Sequence, residues 1–326
     1  MGATEIVQAV ISPAEKLIDA VSGAIGKAYE PHHVKKMADA KAYELNLIAD
    51  AVRNNSDVPI VYDSTGVSVD TSNYEEIAKR ASSRLAFQEI TKQQNIEAVA
   101  DRAYEELSSE EFASSEPVSQ DWMSRFFNSV EDISNEKMQE IWAHILAGEI
   151  RSPNTYSYRT LECLRNITQQ EAELFLKFAS LVLRDSSTYF VLADDGLINK
   201  YNVHFSDILR LEECGLMTAQ PLSLTLLISA DCGTCICNSK NIGVIKGAKS
   251  DAQKIILYVY ALTSSGSQLM NAIHPECTDQ CLLDFLQYIK DRHKELSIAA
   301  YKINYIYENG NINYDDTDNI FLSRQE

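Results

Sequence analysis

The chain has 326 residues, with 29 Lys and Arg against 47 Asp and Glu, giving a formal net charge of −18. That length suits two or three domains, and a composition that is 45% hydrophobic and 23% charged excludes wholesale disorder. The acidity argues against a general nucleic-acid binder and against electrostatic adhesion to anionic lipid, because both need a surplus of Lys and Arg.

No run of 18 uncharged apolar residues occurs; the densest stretch, Leu174–Leu183, is interrupted by Lys177. The start, Met1-Gly2-Ala3-Thr4-Glu5-Ile6, has neither the basic nor the apolar region of a signal peptide. Ile6 also stands where a myristoylation signal wants Ser or Thr. Seven cysteines, an odd number, read as reduced thiols and not as a disulfide framework. The expected location is the cytoplasm, with at most peripheral contact at the inner membrane.

In chain order, Ser12-Pro13-Ala14-Glu15 is a helix start, with Pro13 at the first helical position and Glu15 completing a capping box. The helix is expected to reach Glu30, since Pro31 follows. Leu17, Ile18, Val21, Ala24, Ile25 and Ala28 make its apolar face, predicted to pack in a helical bundle or an oligomer interface, with lipid as the alternative. A second helix is predicted at about His33–Arg53, and an excursion or hairpin over 55–73. A long helix from Tyr74 to about Ser109 follows, with Ile77, Ala81, Leu85, Ile90, Ile96 and Val99 on its apolar side. Two long helices joined this way suggest a helical hairpin used for self-association.

Residues 101–150 carry twelve acidic and three basic side chains, half of the net charge, and read as a solvated face. After Pro117, Trp122, Phe126, Phe127, Val130 and Ile133 give one apolar stripe, and Met138, Ile141, Trp142, Ile145 and Leu146 another. Gly148 is the expected stop of that second helix. Thr168 to Glu171 is a capping box opening a further helix. His144, inside an apolar helix, is expected to be an interior or interface histidine.

From about Ser187 the period changes. Tyr189–Leu192, Leu222–Ser229, Ile242–Ile245 and Ile255–Leu262 are predicted strands; Phe205–Cys214, Ser265–His274 and Thr278–His293 are predicted helices. Ile298–Tyr307, before the turn Glu308-Asn309-Gly310-Asn311, is a strand entering a hairpin. The order of helix, Gly215-Leu216 turn, strand pair and helix resembles a winged helix. The predicted helix 205–214 is acidic (Asp207, Glu212 and Glu213 against Arg210), so only Lys240, Lys246 and Lys249 of the predicted wing could touch phosphate.

Cys232, Cys235 and Cys237, with His274, Cys277 and Cys281, are candidate zinc ligands if the two segments meet; buried thiols in a β-rich core explain them equally. Gly243–Ser250 imitates a phosphate loop but has Ala248 where Gly must precede Lys249. No nucleophile elbow, zinc-protease helix or dinucleotide fingerprint is present, so no enzyme activity and no cofactor are expected.

Asp121-Trp122-Met123-Ser124-Arg125-Phe126-Phe127 and Glu136-Lys137-Met138-Gln139-Glu140-Ile141-Trp142-Ala143-His144-Ile145-Leu146-Ala147-Gly148-Glu149 resemble the core of an uncharacterised bacterial family, domain of unknown function 2806. Ser157–Glu162, Gln170–Phe175, Gln94–Glu97, Ile25–Pro31, Leu211–Leu216 and Leu262–Gly266 extend the resemblance. The layout is in turn similar to the abortive-infection alpha family, in which a Gly- and Ala-rich helical segment precedes a comparable helical domain.

The expectation is a predominantly helical α+β chain. It has helices over 1–54, the excursion 55–73, a long helix and acidic linker over 74–116, a central helical domain over 117–186, and a winged-helix-like domain over 187–326. The amphipathic start, the long helical pair, the absence of a catalytic motif and the resemblance together lead to the expectation of a non-enzymatic, homo-oligomeric interaction protein of phage defence, with the C-terminal domain sensing a protein partner and the N-terminal helices responding. The alternatives are a DNA-binding regulator and a membrane-perturbing effector acting through residues 13–30.

Overall fold

The computed structural model describes residues 12–25, 29, 71–110, 112–231, 233–273, 275, 277, 279–306 and 311–321. The predicted helix at His33–Arg53, most of the 55–73 excursion, Ala28, Cys232 and His274 lie outside them. The chain divides into two compact units, Met1–Thr155 and Tyr156–Glu326.

The first unit is helical: α1 (Pro13–Ile25), α2 (Thr71–Leu107), α3 (Gln120–Val130) and α4 (Glu136–Arg151). The capping box of α1 forms as expected: Ser12 N–H donates to Glu15 Oε2 at 3.2 Å, and Glu15 N–H to Ser12 Oγ at 3.2 Å. Helix α2 begins at Thr71, inside the stretch read as excursion. Ser119 and Asn135 cap α3 and α4. Gly148 does not stop α4, which continues to Arg151 because Glu149 and Ile150 beyond it are fully buried. The core is built on aromatics: Trp122 stacks on Phe126 at 5.1 Å, and Phe126 meets Trp142 edge-on at 5.4 Å.

The second unit starts earlier than expected. Helices α5 (Tyr158–Asn166) and α6 (Gln169–Ala179), read as the end of the central domain, belong to it, because α5 packs on α9 (Ser264–Ile273) and α6 on α8 (Phe205–Glu213). Thr168 opens α6 with the predicted capping box. The strands are β1 (Leu183–Arg184), β2 (Tyr189–Leu192), β3 (Leu222–Ile228), β4 (Thr234–Cys237), β5 (Asn241–Lys246), β6 (Gln253–Ala261), β7 (Ser297–Ile306) and β8 (Ile312–Tyr314); α7 (Asp195–Lys200) and α10 (Asp279–Arg292) complete the unit.

All eight strands join one antiparallel sheet in the order β3-β6-β2-β1-β4-β5-β7-β8. That is wider than the small sheet of a winged helix. Its inner face carries Leu226, Ile228, Ile255, Leu257, Phe190, Ile236 and Ala300, all buried. Helix α10 lies on that face. A Cβ on Gly243 would come within 2.8 Å of Leu286, so glycine permits the close approach. Phe285 meets Phe190 edge-on at 6.0 Å.

Candidate functional site

Register carries the outer face across the sheet. Ser223, Thr225 and Leu227 of β3 lie opposite Tyr258, Ile256 and Lys254 of β6. Tyr260 of β6 continues to Val191 of β2, then Tyr189, Arg184, Cys237, Ile242 and Tyr301. Leu227, Ile256 and Tyr258 are 57–61% exposed on that face, an arrangement that alternation alone does not explain, since a solvated face should carry polar residues. The eight strands contain Arg184, Lys246, Lys254 and Lys302 and no Asp or Glu, in a chain with 47 acidic residues.

Helix α8 has apolar residues on both sides. Ile208 and Leu211 are buried, whereas Phe205 and Leu209, one turn apart, are 56% and 41% exposed. Arg210, Glu212 and Glu213 are exposed too, so the outward surface is apolar and acidic. Glu212 reaches back to accept from the Ala219 N–H at 2.9 Å, fixing the passage into β3.

The candidate phosphate contacts do not gather. Lys246 and Lys249 stand at the end of β5, where Gly247 N–H donates to Ser229 O and Ala230 N–H to Lys249 O, beside Lys254 of β6. Lys240 precedes β5, at the strand's other end, about 20 Å away by strand rise.

The candidate zinc ligands are divided by the sheet. Cys237 lies on the outer face, next to Arg184, and Cys235 two residues before it is exposed on the same face. Cys281 belongs to α10 on the inner side, and its Sγ donates to Leu181 O at 3.3 Å. Among the described residues no three His, Cys, Asp or Glu side chains form a metal-binding group. Burial pushes the Cys281 thiol up to about 12 and the Cys237 thiol above its ordinary value despite Arg184. These sulfurs stay protonated near neutrality, which disfavours both metal ligation and nucleophilic attack. A crevice beside Cys281 is lined by Leu181, Leu183, Val191, Leu192, Leu197, Ile198 and Tyr201. The Tyr201 hydroxyl there already donates to Asp284 Oδ2 at 2.8 Å.

In the first unit, the N-terminal face is turned inward. Leu17 and Val21 have no exposed surface, and Ile18, Ala24 and Ile25 are half-buried. Leu17 and Val21 therefore pack against this chain's own α2, α3 and α4, the bundle packing that the sequence led one to expect. Lys16 Nζ ties the helix down by donating to Ser114 O and Ile150 O, each at 2.8 Å.

The acidic stretch is not simply a solvated face. Glu106 and Glu110, one turn apart on α2 and the loop after it, meet His144 and Arg151, two turns apart on α4. His144 Nδ1 lies 2.7 Å from Glu106 Oε2; Arg151 pairs with Glu106 and, at 2.7 Å, with Glu110. Burial raises the Glu106 carboxyl, but the bonds from His144 and Arg151 outweigh it and hold it below the usual range. The Glu106 bond raises His144 against a smaller opposing effect of burial. The matched spacings i, i+4 and i, i+7 were the available signal for this cluster.

The family model for a protein of unknown function, DUF2806, matches residues 79–290. The chain belongs to this family. No curated protein and no solved structure matches it. The match spans most of α2, all of α3 and α4, and six of the eight strands, so α8 and the β3–β6 pair are family elements. No helix among the described residues is long and apolar enough to cross a membrane.

Proposed function

We propose that this family member is a non-enzymatic interaction protein whose second unit docks a protein partner through α8. The observation that carries this reading is the exposed Phe205 and Leu209 pair, flanked by Glu212 and Glu213. The run α6, β1, β2, α7, α8, β3 resembles the start of a winged helix, with β4 and β5 inserted before β6, and on that reading α8 takes the place of a recognition helix. A DNA reader would need Arg, Asn or Gln there; apolar anchors on an acidic helix suit protein instead. The separation of Lys240 from Lys246 and Lys249 weakens the DNA alternative further.

Similarity of layout to the abortive-infection alpha family supplies the setting, a cytoplasmic response to phage, with oligomers as the working form. Partner docking on the second unit would be coupled to rearrangement of α1 and α2 through differential affinity for two states. A membrane-perturbing role is the lesser reading, since it requires Leu17 and Val21 to leave a fully buried site.

The test is phage plating on a host with and without the gene, across a broad panel. Protection by the wild type that Phe205→Glu plus Leu209→Glu abolishes, at equal abundance, is the expected result. Protection unaffected by that pair, or none at verified expression, overturns the reading.

A further inference from the structure

Phe112 is 71% exposed in the loop after α2, the most acidic part of the chain. The described residues on either side of it are anchored by hydrogen bonds. Arg151 Nε donates to Glu110 Oε1 and Oε2 at 2.8 and 3.0 Å on one side. Ser114 N–H donates to Arg151 O at 2.9 Å, and Lys16 holds Ser114 O, on the other. Glu105 and Glu116 are exposed nearby. Phe112 is therefore an apolar tip among acidic residues, flanked by the anchored Glu110 and Ser114.

The complementary surface is on the second unit. Leu227, Ile256 and Tyr258 form a contiguous exposed patch on the outer face, with Lys254 directly across from Leu227. Thr234 Oγ1 donates to Leu227 O at 2.7 Å, which draws the end of β3 toward β4 and Lys246. Lys246, Lys249 and Lys254 thus rim one end of the patch; Asp231 and Asp251 in the adjoining loops reduce but do not cancel this charge.

Two copies of a −18 chain repel one another at most contacts. This pairing opposes unlike charges around apolar centres, which favours encounter and register together.

We propose that copies of this protein associate head to tail, the Phe112 loop of one docking on the Leu227–Ile256–Tyr258 face of the next. The inference deepens the reading of the chain as an oligomeric interaction protein and uses a surface other than Phe205 and Leu209. The contact is heterologous: each copy has one knob and one socket, so rings or short filaments follow according to whether the rotation closes.

Sedimentation of the full chain tests it. The wild type is expected to assemble, with dissociation promoted by salt. Phe112→Glu, which spoils only the knob, and Ile256→Glu, which spoils only the socket, should each weaken assembly about 30-fold or more. An equimolar mixture of the two variants should form a dimer, because the intact knob of one fits the intact socket of the other. Phe112→Ala and Lys254→Glu repeat the test with milder changes, and circular dichroism checks folding. A monomeric wild type, assembly that survives all four variants, or a mixture that stays monomeric overturns the proposal. If phage protection still depends on Phe205 and Leu209 in that event, partner docking stands without self-association.

Discussion

Helices α1 and α8 are both amphipathic, yet they use their apolar residues in opposite ways. In α1, Leu17 and Val21 sit one turn apart and are wholly buried against α2, α3 and α4. In α8, Phe205 and Leu209 have the same spacing and stay in water, while Ile208 and Leu211 on the other side hold the helix to its unit. Spacing identifies an apolar face; it does not say whether the same chain covers it. A helix with one apolar stripe must bury it to stay folded, whereas a helix with two can bury one and offer the other.

The difference breaks most sharply at Leu17. Truncating it to Ala in a fully buried site should cost about 2–5 kcal/mol, read as a lower midpoint in urea for the first unit. An unchanged midpoint would mean that α1 is not part of that core, and would return it to the oligomer or membrane reading. The cluster near the seat of α1 gives a second handle. His144 is raised by Glu106, so its contribution is full below its unfolded value of 6.5 and is lost as pH rises through the higher folded value. Glu106 is held low, so its contribution is present above the usual carboxylate range and fades only as pH falls through its depressed folded value. Unfolding of the first unit should therefore grow easier from about neutrality upward, and His144→Gln should flatten that slope. A slope that persists in the variant would assign it to another group.

Removing the cap of α1 is a smaller intervention. Ser12→Ala deletes the Oγ acceptor of the Glu15 N–H and should cost about 1 kcal/mol, less than Leu17→Ala. Equal losses from both would show that the helix folds only marginally on its own, and that packing adds little.

Much of this was legible locally. The capping boxes at Ser12 and Thr168, the aromatic stripes of α3 and α4, and strands β2, β3, β5, β6 and β7 follow from periodicity and caps. What was not legible depends on distant partners. Gly148 looked like a stop because the burial of Glu149 and Ile150 is set by other helices. Strand β1 has two residues and no period, yet Arg184 opposite Cys237 joins the two halves of the sheet. The division after Thr155 is not legible in the sequence because α5 and α6 have the same periodicity as their predecessors and differ only in their partners, α9 and α8. The candidate surface is half legible: the acidity of helix 205–214 is written in its residues, but exposure of Phe205 and Leu209 is a tertiary fact. Likewise, Cys237 and Cys281 looked like partners in sequence until register put a sheet between them.

The smallest expected effect on stability sharpens the comparison from the other side. Phe205→Ala plus Leu209→Ala removes more apolar surface than Leu17→Ala, but from water, so the change should stay within about 0.5 kcal/mol per site. The same pair should lower the yield of any co-purifying protein partner, because exposed anchors stabilise a complex and not the free fold. A large loss of stability would show that α8 is covered within the chain, as α1 is, and would leave the second unit without its docking helix. A stable variant that has lost its partner would separate the two helices by purpose: one closes the fold, and the other keeps an apolar face available.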